Sequence, residues 1–114
     1  MGKPKKGAFP AVQPKVNYIR IQNGEIENAV IAWGDSVVWM NLDSTSYTIA
    51  GMTNAAPDPA KVWAKVTAVG SPDANSSPLV FTWSPGMSKD PQVYSYGILP
   101  PGKAKATLTV KISV

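Results

Sequence analysis

The sequence predicts an all-β protein, an antiparallel Greek-key β-sandwich of about eight strands entered through an extended N-terminal arm. Three observations predict it. Short runs alternate apolar and polar residues with a period of two. Turn signals part these runs at intervals of roughly eight to twelve residues. Eleven Pro and nine Gly are spread along the 114 residues, which disfavours long helices. The 44% hydrophobic content is enough for a single core.

Residues 1–15, MGKPKKGAFPAVQPK, carry three Pro and little periodicity and are read as an arm. Lys3, Lys5, Lys6 and Lys15 lie in it with Phe9 and no acid, so the formal +4 belongs to the arm. The sandwich domain is residues 16–114, in which seven basic and seven acidic residues balance. The arm is expected to be held by the body or by a neighbouring molecule.

Val16 to Gln22 reads as the first strand, with Ile19 and Ile21 facing in and Tyr18 and Arg20 out. Asn23-Gly24 is a hairpin turn signal. Ile26 to Trp33 reads as the second strand, and Gly34 to Gly51 as a strand, a polar turn and another strand. Met52 to Ala60 is read as a Pro-interrupted loop. From Lys61 to Val69 the apolar face is Val62, Ala64, Val66 and Ala68, which turns Trp63 outward between Lys61 and Lys65. After a polar loop, Leu79, Phe81 and Trp83 are in phase for a strand ending at Ser84. Val93 to Ile98 and the alternating run from Ala104 to Val114 close the domain.

The run GDSVVWMNLDSTSYTIAG resembles the cupredoxins, the blue-copper β-sandwich proteins. It has the Gly-Asp, the Trp-x-Asn and the following Asp in the family's order. YSYGILPPG resembles, more weakly, another run of that family. The resemblance implies a copper-binding His four residues after Asp43, and Tyr47 occupies that place. KVTAVGSPDANSSPLVFTWSPG and KATLTVKISV also resemble strands of bacterial immunoglobulin-like and PKD-like domains. Both resemblances imply a Greek-key sandwich, cupredoxin-like or immunoglobulin-like.

The residue types limit the chemistry. Cys and His are both absent from the sequence. A type 1 copper site needs a thiolate and two imidazoles, so blue-copper electron transfer is excluded. Disulfides are excluded too, and the commonest general base is missing. Met40, Met52 and Met87 could be imagined around Cu(I), but lone Met residues on strands and loops are far more often packing. Glu25, Glu27, Asp35 and Asp43 sit at or beside turns, where Asp commonly bonds backbone amides. Asp73, Asn75 and Ser77 lie too loosely for a calcium loop, and Asn75-Ser76-Ser77 is a glycosylation sequon. Four arm lysines beside one aromatic make a weak nucleic-acid footprint. No run is long enough to span a membrane, and no apolar stretch follows Met1 as in a signal peptide.

The reading is a protein without catalysis or cofactor, a subunit of a larger particle, surface array or filament such as a virion surface. An extracellular, cell-surface or virion setting is favoured. The expected partner is protein, a second copy or a larger assembly, contacted through Trp63, Lys61, Lys65, Tyr18 and Met40. Aromatics and Met are enriched at such contacts. The alternative is a secreted, copper-free cupredoxin-like module that binds a carbohydrate or a protein.

Overall fold

The structure, a computed structural model, describes residues 14–112. These form two facing sheets and no helix. The strands are β1 (Val16–Gln22), β2 (Glu25–Ile26), β3 (Ala29–Ala32), β4 (Ser36–Asn41), β5 (Tyr47–Thr53), β6 (Ala56–Val66), β7 (Leu79–Val80), β8 (Gln92–Leu99) and β9 (Lys105–Lys111). One sheet has the order β2-β1-β4-β7 and the other β3-β9-β8-β5-β6. The sandwich is as expected, but its sheets are mixed: β1 pairs parallel with β4, and β3 parallel with β9.

The run read as one strand from Ile26 to Trp33 is two. β2 finishes a hairpin on β1, and β3 crosses to the other sheet to pair with β9. Asn23 and Gly24 form the hairpin turn with φ of 56° and 73°, the left-handed pair that such two-residue turns require. After β3, Gly34 takes φ 96° and Asp35 returns the backbone to the first sheet. The Asp35 carboxylate accepts from the amides of Lys15 at 3.1 Å and Ala32 at 3.1 Å, and from Asn17 Nδ2 at 3.2 Å. It therefore ties the entry of β1 to the turn before β4, and so helps fix the parallel pairing of these strands.

Between the sheets pack Ile19, Ile21, Ile31, Val37, Trp39, Ile49, Val66, Tyr96, Ile98, Leu108 and Val110, each burial worth about 1.5–3 kcal/mol. Trp39 Nε1 donates to the Tyr96 hydroxyl at 3.1 Å, which satisfies both polar tips inside the core. Burial pushes the Tyr96 phenol up to about 12. Strand β9 buries Ala106, Leu108 and Val110 as the alternation requires, whereas Ile112 beyond it is exposed.

Three further expectations are corrected. The loop expected from Met52 to Ala60 shrinks to the turn at Asn54 and Ala55, because β6 begins at Ala56. Pro57 and Pro59 are tolerated there because β6 is the edge of its sheet. The strand expected through Trp83 stops at Val80, and Trp83 Nε1 instead donates to the Ser88 carbonyl at 3.2 Å within the next loop. The third concerns Trp63.

Candidate functional site

Trp63 faces the interior. Ile49 pairs with Ala64 but Ala50 pairs with Val62, so β6 carries one extra residue against β5. Such a bulge reverses the side on which the following residues fall. Val62, expected inside, is 46% exposed. The half-buried Trp63 ring lies 4.8 Å from that of Tyr96, 6.2 Å from Trp39, 6.1 Å from Phe81 and 6.3 Å from Tyr94. Gly51 makes the room: a Cβ there would stand 3.1 Å from Trp63 Nε1. A glycine inside a strand marks such close approaches, and Gly51 was the sequence signal to read.

The residues expected to make one contact surface are thereby divided. Lys61 and Lys65 are exposed on β6, in the five-stranded sheet, and Lys61 Nζ reaches the Met52 carbonyl at 3.3 Å. Tyr18 and Met40 lie on the four-stranded sheet. Lys3, Lys5, Lys6 and Phe9 fall outside the described residues, and Lys15 stands at the foot of β1.

Tyr18 and Met40 do share a surface. On β1 the core takes Ile19 and Ile21, which leaves Val16, Tyr18 and Arg20 on the outer side. On β4 the core takes Val37 and Trp39, which leaves Ser36, Val38 and Met40 outside. The register sets Tyr18 beside Val38, Arg20 beside Met40, and Val16 beside Ser36, which in turn neighbours Val80 of β7. Val16, Tyr18, Val38, Met40 and Val80 thus lie along one apolar stripe, in which Val16, Tyr18 at 60% and Val80 at 57% are exposed, Met40 is half-buried and Val38 is buried at 7%. The sequence turns Tyr18 outward and names Met40 with it as a contact residue, but the stripe needed the parallel pairing of β1 with β4 to become visible.

At one end of the stripe Arg20 pairs with Glu27 at 3.0 Å, and the Glu27 carboxylate also accepts from the Arg20 amide. The Arg20 side chain holds Glu27 below the usual carboxylate range. Arg20, Gln22, Asn23, Glu25, Ile26 and Glu27 line an open polar depression of about 280 Å³. Glu27 is thus engaged by its own sheet.

Tyr47 is buried, and its hydroxyl donates to Asp43 Oδ2 at 2.7 Å. Asp43 also accepts from the amides of Asn23 at 2.6 Å and Gly24 at 2.8 Å. Asn41 completes the corner: its Oδ1 accepts from the Asp43 amide, and its Nδ2 donates to the carbonyls of Thr45 and Thr67. Burial raises Asp43, but the Tyr47 hydroxyl and the two amides together outweigh it and hold the carboxyl below its ordinary value. Burial raises Tyr47, and Asp43 adds to that. Asp35 follows the same balance, with burial outweighed by the Lys15 and Ala32 amides and by Asn17. A general acid needs the opposite shift.

The corner does not suit copper. The Tyr47 oxygen is already bonded to Asp43, and the sequence has no Cys or His to make a ligand set. Among the described residues no three metal-binding side chains of the His, Cys, Asp or Glu type converge. The Met residues are separated: Met40 lies on the stripe, Met52 on β5 of the other sheet, and Met87 Sδ accepts from the Ser84 amide in a loop. The loop considered for calcium serves packing, with the Ser76 hydroxyl accepting from the Trp39 amide at 2.8 Å and Asn75 bridging to Met40.

No protein-family model and no curated protein matches the sequence. Solved structures do. A methionine-to-alanine variant of amicyanin in its Cu(I) form superposes with a TM-score of 0.59 at 17% identity, covering 84% of this chain and 82% of that one. A purple cupredoxin from Nitrosopumilus maritimus gives 0.60 at 19% identity, over 83% of this chain and 99% of that one. The fold is cupredoxin-like.

Proposed function

We propose that this protein is a non-catalytic assembly subunit that joins a second copy of itself through the outer face of the four-stranded sheet, as part of a larger particle, surface array or filament. The observation that carries the reading is the apolar stripe of Val16, Tyr18, Val38, Met40 and Val80. Its exposed members, Val16, Tyr18 and Val80, surround the buried Val38, and exposed apolar patches mark contact sites. A second copy is the occupant because the charges beside the stripe, Arg20 and Glu27, neutralise each other. A two-fold contact sets a patch against itself, and this patch meets its copy without like-charge repulsion.

The sheet edges favour contact through a face. β2 and β7 have two residues each and β3 four. The long edge β6 carries Pro57, Pro59, Lys61 and Lys65, the residue types that block strand addition. Light scattering across a concentration series tests the reading. Reversible self-association that Tyr18→Asp abolishes is expected, and a wild-type protein that stays monomeric at every concentration overturns it.

A second reading is an exported, copper-free module that binds a carbohydrate. The half-buried rings of Trp63, Phe81 and Tyr94 support it, since they gather in one cluster that keeps some surface in solvent. Quenching of Trp fluorescence by a sugar ligand, lost in Tyr94→Ala, would favour this reading over assembly.

A further inference from the structure

We propose that Asn23 is a latent self-modification site, an asparagine able to close on the next peptide nitrogen, and that Asp43 holds the reaction back. The sequence Asn23-Gly24 supplies the reactive pair, because glycine has no Cβ to hinder its amide. In the reaction the Gly24 nitrogen attacks Asn23 Cγ and a ring N–C bond forms. The bond from Cγ to the Asn23 Nδ2 nitrogen breaks, and that nitrogen leaves as ammonia, taking up the proton lost from Gly24. Water then opens the ring to aspartate or to isoaspartate at position 23. Water is the sole co-reactant, and Asn23 is exposed to it.

The structure puts an obstacle at the attacking atom. The Gly24 amide donates to Asp43 Oδ2 at 2.8 Å and the Asn23 amide to Oδ1 at 2.6 Å. Before it attacks, the Gly24 nitrogen must give up its proton. A bond to a carboxylate strengthens the hold on that proton, and deprotonation would leave two anionic centres in contact. The carboxylate is itself fixed by the Tyr47 hydroxyl and, through its own amide, by Asn41. The guard therefore comes from the β4–β5 loop and acts on the β1–β2 turn. Once formed, an aspartate at 23 would add a charge to the residue whose amide already contacts the Asp43 carboxylate, with Glu25 two residues away. Isoaspartate would also add a backbone atom to a turn that needs positive φ at both residues.

The test follows conversion at position 23 in the full-length protein at mildly alkaline pH, by intact mass and by peptide mapping that separates aspartate from isoaspartate. Native wild type is expected to react about tenfold or more slowly than the same protein in urea, because bonds to charged groups are among the stronger ones. Folded Asp43→Asn, or Asp43→Ser if that variant does not fold, should approach the rate in urea. Tyr47→Phe, which keeps the carboxylate, should stay slow. Equal rates for native and urea-unfolded wild type overturn the proposal. So does a folded Asp43 variant that reacts no faster than wild type.

Discussion

On the outer face of the four-stranded sheet Tyr18 stands beside Val38 across the ladder, with Met40, Val16 and Val80 around them. On the outer face of the five-stranded sheet the comparable row is Val30, Thr109 and Val93, so that a threonine parts the two valines. Lys111 beside Ala32 and Ser95 beside Thr107 border that row. Both faces expose large apolar side chains, with Val30 at 59% and Val93 at 62%. On the first face Tyr18 adjoins the buried Val38 directly, although Ser36 parts Val16 from Val80 much as Thr109 parts Val30 from Val93. Exposure of single residues therefore does not distinguish a contact face from an ordinary surface, whereas adjacency across the strands does.

The largest effect expected belongs to neither outer face. Strand parity makes Trp63 a surface contact, and the bulge makes it part of the aromatic core instead. Trp63→Ala should cost about 3–5 kcal/mol of stability, toward the lower end because the ring is half-buried. Urea unfolding measures it. A loss under roughly 0.5 kcal/mol would return Trp63 to the surface and reopen its role in assembly.

Next comes the stripe. Tyr18→Asp places a charge at its centre, and association should weaken by about 2 kcal/mol or more if Tyr18 anchors the contact. Monomer stability should stay within roughly 0.5 kcal/mol, since Tyr18 faces away from the core. Unchanged association with a soluble, folded variant would move the contact to another face.

What the sequence could show follows from the range of its signals. Period-two alternation is local, so β1, β4, β8 and β9 were legible, as were the turns at Asn23 and at Asp43. The Trp63 bulge left one trace, Gly51, twelve residues earlier, and was otherwise hidden because a bulge is set by the partner strand. The crossing between β2 and β3 was hidden as well: Ile26 and Ile31 are both apolar, and nothing in their spacing says that they serve opposite sheets. The stripe was hidden for a third reason. It depends on the lateral order of strands, which alternation along a strand does not encode.

The carboxylate anchors give an effect of intermediate size that depends on pH. Asp35 and Asp43 both have folded values below the ordinary carboxylate value of about 3.9. Their stabilisation is therefore complete above that value and is lost as pH falls through the folded values. Asp35→Asn should cost about 1–2 kcal/mol at pH 7, because three donors lose a charged acceptor. The gap between variant and wild type should close in acid. Urea midpoints that differ as much at low pH as at neutral pH would show that Asp35 acts through packing and not through charge.

The smallest effect is expected on the five-stranded sheet, from Val30→Thr and Val93→Thr made together. Thr has nearly the shape of Val and a comparable preference for strands, so the pleated surface is kept. Both side chains already stand in solvent on either side of Thr109, so the change would make a row of three threonines. Stability should move by no more than roughly 0.5 kcal/mol, and association by less than that if the outer face of the four-stranded sheet is the contact. The pair is therefore the control for Tyr18→Asp: exposed β-branched residues changed on the opposite face of the same molecule. If the double variant weakens association as much as Tyr18→Asp does, both faces take part in assembly, and contiguity is not what selects between them.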